Sequence, residues 1–479
     1  MGCLPFFSVE TWILLITFIC IFVIYGNWTH GIFENLGIPG PKPYTYWGTI
    51  GRHNKVYYKD DQQCAEKYGK VWGMYEFRSP MLAVMDPDML KTILVKQCFT
   101  YFTNRRVRRT HWIEDDHWRR IRNVLTPSFT SGHIKEMFKI MKHLSSKLTA
   151  IMSSECYFGA YSVDVMASCG FSVDMDSINN HSSPIIFHAS RFFKFPQFVL
   201  ILQGIFPVLI PLFELLGISF FSSTSTAFFK TILAKIKAER EGSTHKNSGD
   251  FLQSMINSRT ANDPSKGEKN KGLTDHEILT QATMFMVAGY ETSATTLAFL
   301  AYNLARNPEV MKRLQEEIDS TFPNKGAVRY EELLQMEYLD SVVNESMRLY
   351  PPAGRLDRVA KKTVEIRGIT IPKDMIVMIP VYALHRDPDL WPEPEEFKPD
   401  RFSKQNKRSI NPYTYLPFGT GPRNCLGMRF ALVLVKLALV EVLQNYSFSV
   451  CGETEIPLTM DPGGLVGPLN PIKLKVTTR

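Results

Sequence analysis

None of the eight cysteines (3, 20, 64, 98, 156, 169, 425 and 451) belongs to a C-x-x-C pair, and their scatter matches neither a zinc module nor a disulfide framework. Most are therefore expected as small buried hydrophobes in a reducing compartment. No block of Lys and Arg appears, which argues against nucleic acid as a partner. No G-x-G-x-x-G or flavin motif occurs, so any reducing equivalents must come from another protein. Internal repeats and long low-complexity tracts are also missing, which excludes solenoids and disordered tails. A mean hydropathy of -0.11 excludes a polytopic membrane protein. What remains is a chain of 479 residues with 44% hydrophobic and 12% aromatic content, enough for a large core. Lys and Arg outnumber Asp and Glu, 55 to 47, giving a net charge of +8. That surplus favours an acidic protein or an anionic lipid surface.

One long apolar run stands out. Thr11 to Phe33 carries no acidic or basic residue other than His30, and Trp12–Tyr25 is almost wholly apolar. With its flanks it reaches the ~17–25 residues of a spanning helix, and Trp12, Tyr25 and Trp28 suit the interfacial belts. A cleavable signal peptide would want a basic start, whereas the only charge before the run is Glu10. Phe6 stands where N-myristoylation needs Ser or Thr. The expectation is an uncleaved anchor. Lys42, Arg52 and Lys55 follow the run and no Lys or Arg precedes it, which places the bulk of the chain in the cytosol and leaves the Asn27-Trp28-Thr29 sequon unused. Pro39-Gly40-Pro41-Lys42-Pro43 reads as a stiff hinge, dividing an anchor (1–38) from a catalytic domain (39–479).

Val71–Phe77 and Met81–Val84 read as a hairpin around Arg78-Ser79-Pro80, and short strands are expected near Val359–Pro380. Most of the remainder reads as helix. The longest stretch runs from Thr274, which opens a capping box with Glu277, to Arg306 before Asn307-Pro308. Glu291 is the only charge between Ala282 and Leu300, so that interior is expected to be buried all round. Phe195–Phe221 is apolar but broken by Pro196, Pro207 and Pro211; it reads as two short helices whose tip dips into lipid.

Phe418-Gly419-Thr420-Gly421-Pro422-Arg423-Asn424-Cys425-Leu426-Gly427 precedes a helix-forming run from Met428. Its glycines allow positive φ and close approach to a flat ligand. Arg423 and the following helix N-terminus favour the Cys425 thiolate, which can then ligate a haem iron while Arg423 meets a propionate.

This decamer resembles the haem loop of the cytochromes P-450, the haem-thiolate monooxygenases. Ala288-Gly289-Tyr290-Glu291-Thr292, Glu345-Ser346-Met347-Arg348 and Pro399-Asp400-Arg401-Phe402 follow the same family's order. The wording of 101–106, 129–137, 334–349, 382–391 and 418–432 is close to the vertebrate subfamily 3A, and the similarity covers essentially the whole chain, anchor included. The resemblance implies a mainly α fold with small β elements, holding haem b between the long central helix and the cysteine helix. It implies Thr292 and Glu291 as the oxygen and proton pair, Ala288 and Gly289 as small residues over the macrocycle, and Phe418 and Gly427 beside the ligand Cys425. Trp118, Arg122, Arg105, Arg358 and Arg423 would hold the propionates. Glu345, Arg348 and Arg401 would form a buried triad, with Asp400 replacing the commoner glutamate. Val287, Ala353 and Arg355 would line the substrate pocket. The implied reaction is insertion of one oxygen atom from O₂ into lipophilic xenobiotics or steroids. Electrons would come from NADPH through cytochrome P-450 reductase, with cytochrome b5 as a further donor, at the endoplasmic reticulum membrane.

Two stretches are shorter than the family wording leads one to expect: Val107–Ile113, in the roof of the distal pocket, and the stretch between Ile140 and Phe158. They leave standing the alternative of a haem-binding relic with little activity. A separate rival is a peroxide-using haem-thiolate isomerase or dehydratase, against which Thr292 argues.

Overall fold

The computed structural model describes residues 8–106, 115–152, 158–180, 183–192, 197–216, 218, 221–242, 249–259 and 272–479. The shortened stretch Val107–Ile113, the end of the second shortening and Pro196 lie outside the described residues. The chain divides into two compact units.

The first unit comprises Met1–Thr110, Gln197–Ile218 and Arg355–Pro380. Its anchor helix, Val9–Asn27, is capped by Ser8, whose hydroxyl accepts the Thr11 N–H at 3.3 Å. At 19 residues with almost every side chain exposed, it is long and apolar enough to cross a membrane. Residues 29–40 lie against a hairpin of β1 (Val71–Glu76) and β2 (Ser79–Val84). The Gly73 N–H donates to Pro39 O, Tyr75 Oη–H donates to His30 O at 2.9 Å, and Phe33 covers Gly73, where a Cβ would sit 2.1 Å from its ring. The proline-rich stretch is thus seated on the sheet at Pro39.

Glu76 pairs with Ser79, so the turn is Phe77-Arg78, and Ser79 and Pro80 belong to the strand. The expected three-residue turn shrinks to two because Phe77 adopts a φ of 55°. β3 (Leu356–Val359), β4 (Val364–Ile366), β5 (Ile369–Ile371) and β6 (Ile376–Ile379) supply the short strands. A four-stranded sheet runs β1-β2-β6-β3, and β4-β5 form a separate pair.

The proline-broken segment forms the helix Gln197–Ile205, a 3-10 turn at Pro207–Leu209 and the helix Ile210–Leu215. Phe198, Val208 and Leu215 are 71%, 75% and 83% exposed, as a lipid-facing tip requires. Phe206 stacks on Tyr25 of the anchor helix at 6.0 Å.

The second unit comprises His111–Pro196, Ser219–Gly354 and Val381–Arg479. The central helix spans Asp275–Arg306, with both bonds of the Thr274–Glu277 capping box formed. Packed in the same core are the helices Ser131–Ile151, Phe158–Phe171 and Met428–Asn445, whose buried apolar faces include Leu144, Val165 and Leu437. A C-terminal pair, β7 (Tyr446–Ser449) with β8 (Lys475–Thr478), was not evident from sequence.

The central helix is not buried all round. Ala288 is exposed and Glu291, Thr292, Ala294 and Thr295 are half-buried. Small and hydroxyl side chains leave two flanks open. Thr292, Ser293 and Thr296 line a small cavity of about 30 Å³, while Glu291, Ala294, Thr295 and Ala298 line a wide cleft that includes Phe158 and Phe448.

Candidate haem-thiolate site

The cysteine loop is a series of tight turns. Gly419 and Gly421 hold φ of 67° and 74°, conformations a side chain would strain. Gly419 N–H donates to Leu416 O, Asn424 N–H to Gly421 O, and Cys425 N–H to Phe418 O at 2.8 Å. The loop therefore closes on itself and carries Cys425, exposed, to within three residues of the helix at Met428. Gly427 caps that helix and its carbonyl accepts the Ala431 N–H. A thiolate here meets the positive end of the helix dipole.

Thr292 lies on the flank that shares the small cavity with Phe418 of this loop and with Ala431, Leu432 and Val435 of the cysteine helix. Its hydroxyl donates to Ala288 O at 2.7 Å, leaving the oxygen lone pairs to accept from a ligand. Glu291, one position earlier on the helix, lies on the other flank in the wide cleft. Gly289 has a packing reason of its own: a Cβ there would stand 2.3 Å from the Met166 thioether, so its bare face admits the helix Phe158–Phe171.

The basic residues form two groups. In the second unit Arg423 stacks its guanidinium on Trp118 at 3.9 Å, and Arg122 Nη2 donates to Asn424 Oδ1 at 2.9 Å. Both i,i+4 residues of the helix Asp115–Leu125 thus address the cysteine loop. In the first unit Arg358 is 1% exposed; its Nη1 donates to the Asp357 carbonyl at 2.7 Å and its Nε has no protein partner. Burial first, and the like charge of Arg105 second, pull its guanidinium down to about 10. Two neighbouring guanidiniums, one of them buried, call for an anion.

Behind the loop lies the Glu345–Arg348 pair of the helix Glu337–Leu349, fully buried. Arg348 uses all five of its N–H groups: Nε and Nη2 reach the Glu345 carboxylate at 2.8 Å, and the other bonds go to the carbonyls of His385, Pro394 and Glu396. Arg401 Nε and the Lys398 N–H also donate to Glu345, so Glu345, Arg348 and Arg401 meet at one carboxylate. Asp400 turns outward to an exposed pair with Arg313.

His385 is the residue that sequence reasoning missed. Its Nε2 accepts the Leu416 N–H at 2.8 Å, so the proton sits on Nδ1, which is 3.2 Å from Arg348 O and donates to it. One imidazole joins the triad to the residue that opens the cysteine loop. Burial, then the Arg348 charge, hold it neutral with a pKa of about 3. A lone histidine in a polar loop carries no spacing signal that could have marked it.

Of the three residues assigned to a substrate pocket, Val287 is fully buried among core side chains, and Arg355 is committed bidentately to Asp61 at 2.6 Å. Ala353 keeps partial exposure.

The residues fit a haem. An exposed thiol lies at the positive end of a helix, and the hydroxyl of Thr292 shares a cavity with Phe418 of the same loop. The family model described as cytochrome P-450 matches residues 38–476. The chain is 54% identical to cytochrome P-450 3A27 of Oncorhynchus mykiss, covering 100% of this chain and 96% of that protein. It is 53% identical to cytochrome P-450 3A40 of Oryzias latipes (100% and 99%) and 48% identical to cytochrome P-450 3A28 of Bos taurus (100% and 98%). The first match extends over 500 aligned residues against 479 here, in keeping with internal shortening. The chain belongs to the cytochrome P-450 family of haem-thiolate oxidoreductases, as kin of its vertebrate 3A members.

Proposed function

We propose that the protein is an O₂-dependent monooxygenase of lipophilic compounds, xenobiotics or steroids, at the endoplasmic reticulum membrane, with its catalytic domain in the cytosol. The observation that carries the reading is the cavity shared by Thr292, Phe418 and the cysteine helix, which sets a proton-handling hydroxyl beside the thiolate loop. Haem b, when bound, supplies one-electron chemistry and oxygen activation. Cys425 would ligate its iron, and the family resemblance implies that Arg358, Arg105, Arg423, Arg122 and Trp118 would hold its propionates. Thr292 moves a proton at Oγ1 while its hydrogen bond to Ala288 O fixes the rotamer. Glu291, on the other flank, would exchange protons with solvent through the cleft. The net charge of +8 suits an acidic electron donor, NADPH–cytochrome P-450 reductase, with cytochrome b5 as a second. A retained threonine favours this reading over a peroxide-using isomerase.

The experiment is a reduced, CO-bound difference spectrum followed by NADPH and product counting with added reductase. Cys425→Ser should lose the thiolate signature, and Thr292→Ala should keep haem while diverting NADPH to peroxide and water. A haem-loaded native protein that consumes no NADPH with reductase present overturns the monooxygenase reading.

A further inference from the structure

The first unit holds a cluster of metal-ligating side chains that the haem chemistry does not use. The helix Tyr57–Tyr68 carries Asp60 and Cys64 at i,i+4, hence on one face. The loop before it delivers His53. That loop is pinned: the His53 and Asn54 N–H groups donate to Asp60 Oδ1 at 2.8 and 3.1 Å, and Asn54 Oδ1 accepts the Val56 N–H at 2.9 Å. His53 Nδ1 then lies 3.3 Å from Asp60 Oδ1 and 3.7 Å from Cys64 Sγ, and the three ligand atoms all lie within 4.8 Å of one another.

Those separations have a chemical meaning. Tetrahedral zinc with bonds of ~2.3 Å to sulfur and ~2.0–2.1 Å to nitrogen and oxygen sets S···N near 3.6 Å and N···O near 3.3 Å. Sulfur and imidazole together exclude magnesium and calcium, which take oxygen. Cys64 and Asp60 are 1% and 3% exposed, while the His53 side chain keeps 21%, an opening for a fourth, water ligand. Asp61 is not available as a ligand, since both its oxygens are held by Arg355.

We infer that His53, Asp60 and Cys64 form a binding site for a zinc-class divalent cation that clips the loop 51–56 to the helix Tyr57–Tyr68. Binding breaks the Cys64 S–H bond, forms the S–metal bond and releases the proton to solvent; no electron moves. Charge then balances locally, because a thiolate and the Asp60 carboxylate neutralise the dication while Arg355 neutralises Asp61.

The test uses the full-length haem-loaded protein, dialysed against micromolar zinc and then against metal-free buffer. Elemental analysis should find one zinc per haem iron, and zinc-edge X-ray absorption should show one sulfur neighbour. Cys64→Ser and His53→Gln should each lower retained zinc at least tenfold at unchanged haem per protein; the loop variant His53→Gln covers the case in which Cys64→Ser fails to fold. Zinc should raise the melting temperature of the native chain and not of His53→Gln. Substoichiometric zinc, zinc without a sulfur neighbour, or retention unaltered in His53→Gln overturns the assignment.

Discussion

Arg348→Lys keeps the charge, much of the length and the helix propensity, so it isolates the geometry of the guanidinium. In the native chain five N–H groups serve two carboxylate oxygens and three backbone carbonyls, all within 3.0 Å. An ammonium offers three donors from one nitrogen and cannot span that set. At least two acceptors lose their partner in a site where Arg348 and Glu345 are 0% exposed. At ~1–3 kcal/mol for each buried unsatisfied group, the loss is about 2–6 kcal/mol. Against a total stability of ~5–15 kcal/mol that is a large fraction. Arg348→Ala should be worse, since Glu345 keeps only Arg401 Nε and the Lys398 N–H, and breaking a buried pair costs ~3–5 kcal/mol. Because the Pro394 and Glu396 carbonyls and His385 all hang on this one side chain, the cysteine loop should loosen before the rest of the unit melts. The assay is haem per protein and the thiolate CO signature during stepwise heating, beside circular dichroism. An Arg348→Lys protein with native haem content and native melting would refute the argument that donor number, and not charge, holds this region.

Three further outcomes follow from other parts of the molecule. Gly289→Ala should destabilise by ~1–3 kcal/mol through overpacking on Met166, and shortening that neighbour (Met166→Ala) in the same chain should recover part of the loss; equal melting of Gly289→Ala and the native chain would speak against the packing role. The unfolded chain takes a proton on His385 near pH 6.5 while the folded chain refuses it until about 3. Stability should therefore fall as pH drops below 6.5, by ~1.4 kcal/mol per pH unit from this group, and His385→Gln should remove that part of the slope in acid titrations of melting temperature. Removal of residues 1–27 should leave the hairpin intact, whereas removal of residues 1–38 strips Phe33 from Gly73 and His30 from Tyr75; a melting temperature equal in the two shortened chains would count against this contact set.

The parts of the fold legible in sequence are those encoded locally. The capping box at Thr274 and the Asn307-Pro308 stop fixed both ends of the central helix, and one uncharged run marked the anchor. The Phe77-Arg78 turn was misplaced because a phenylalanine at positive φ contradicts its own preference and is held there by the sheet. β7 and β8 escaped notice because 25 residues separate two short strands that only tertiary pairing joins. In the site, Cys425, Arg423 and the Glu345–Arg348 pair were visible as spaced motifs. What they touch was not: that Trp118 carries Arg423, that Gly289 answers to Met166, and that His385 links two motifs are facts of packing between segments far apart in the chain.

The contact between Tyr46 and the anchor helix sets a depth. Tyr46 Oη–H bonds to the Phe22 carbonyl, and its ring lies 4.5 Å from the Phe22 ring, so protein touches one side of the last turn and a half of that helix while Val23 and Ile24 stay exposed. Val9–Asn27 is about 28 Å long at 1.5 Å per residue, close to a hydrocarbon layer of ~30 Å. In a membrane of that thickness the Tyr46 contact would fall near one interface, and Trp47, Ile50, Phe198, Val208 and Leu215, exposed in the same unit, are the side chains that lipid would wet. A tyrosine hydroxyl would then mark the level at which the protein meets its membrane.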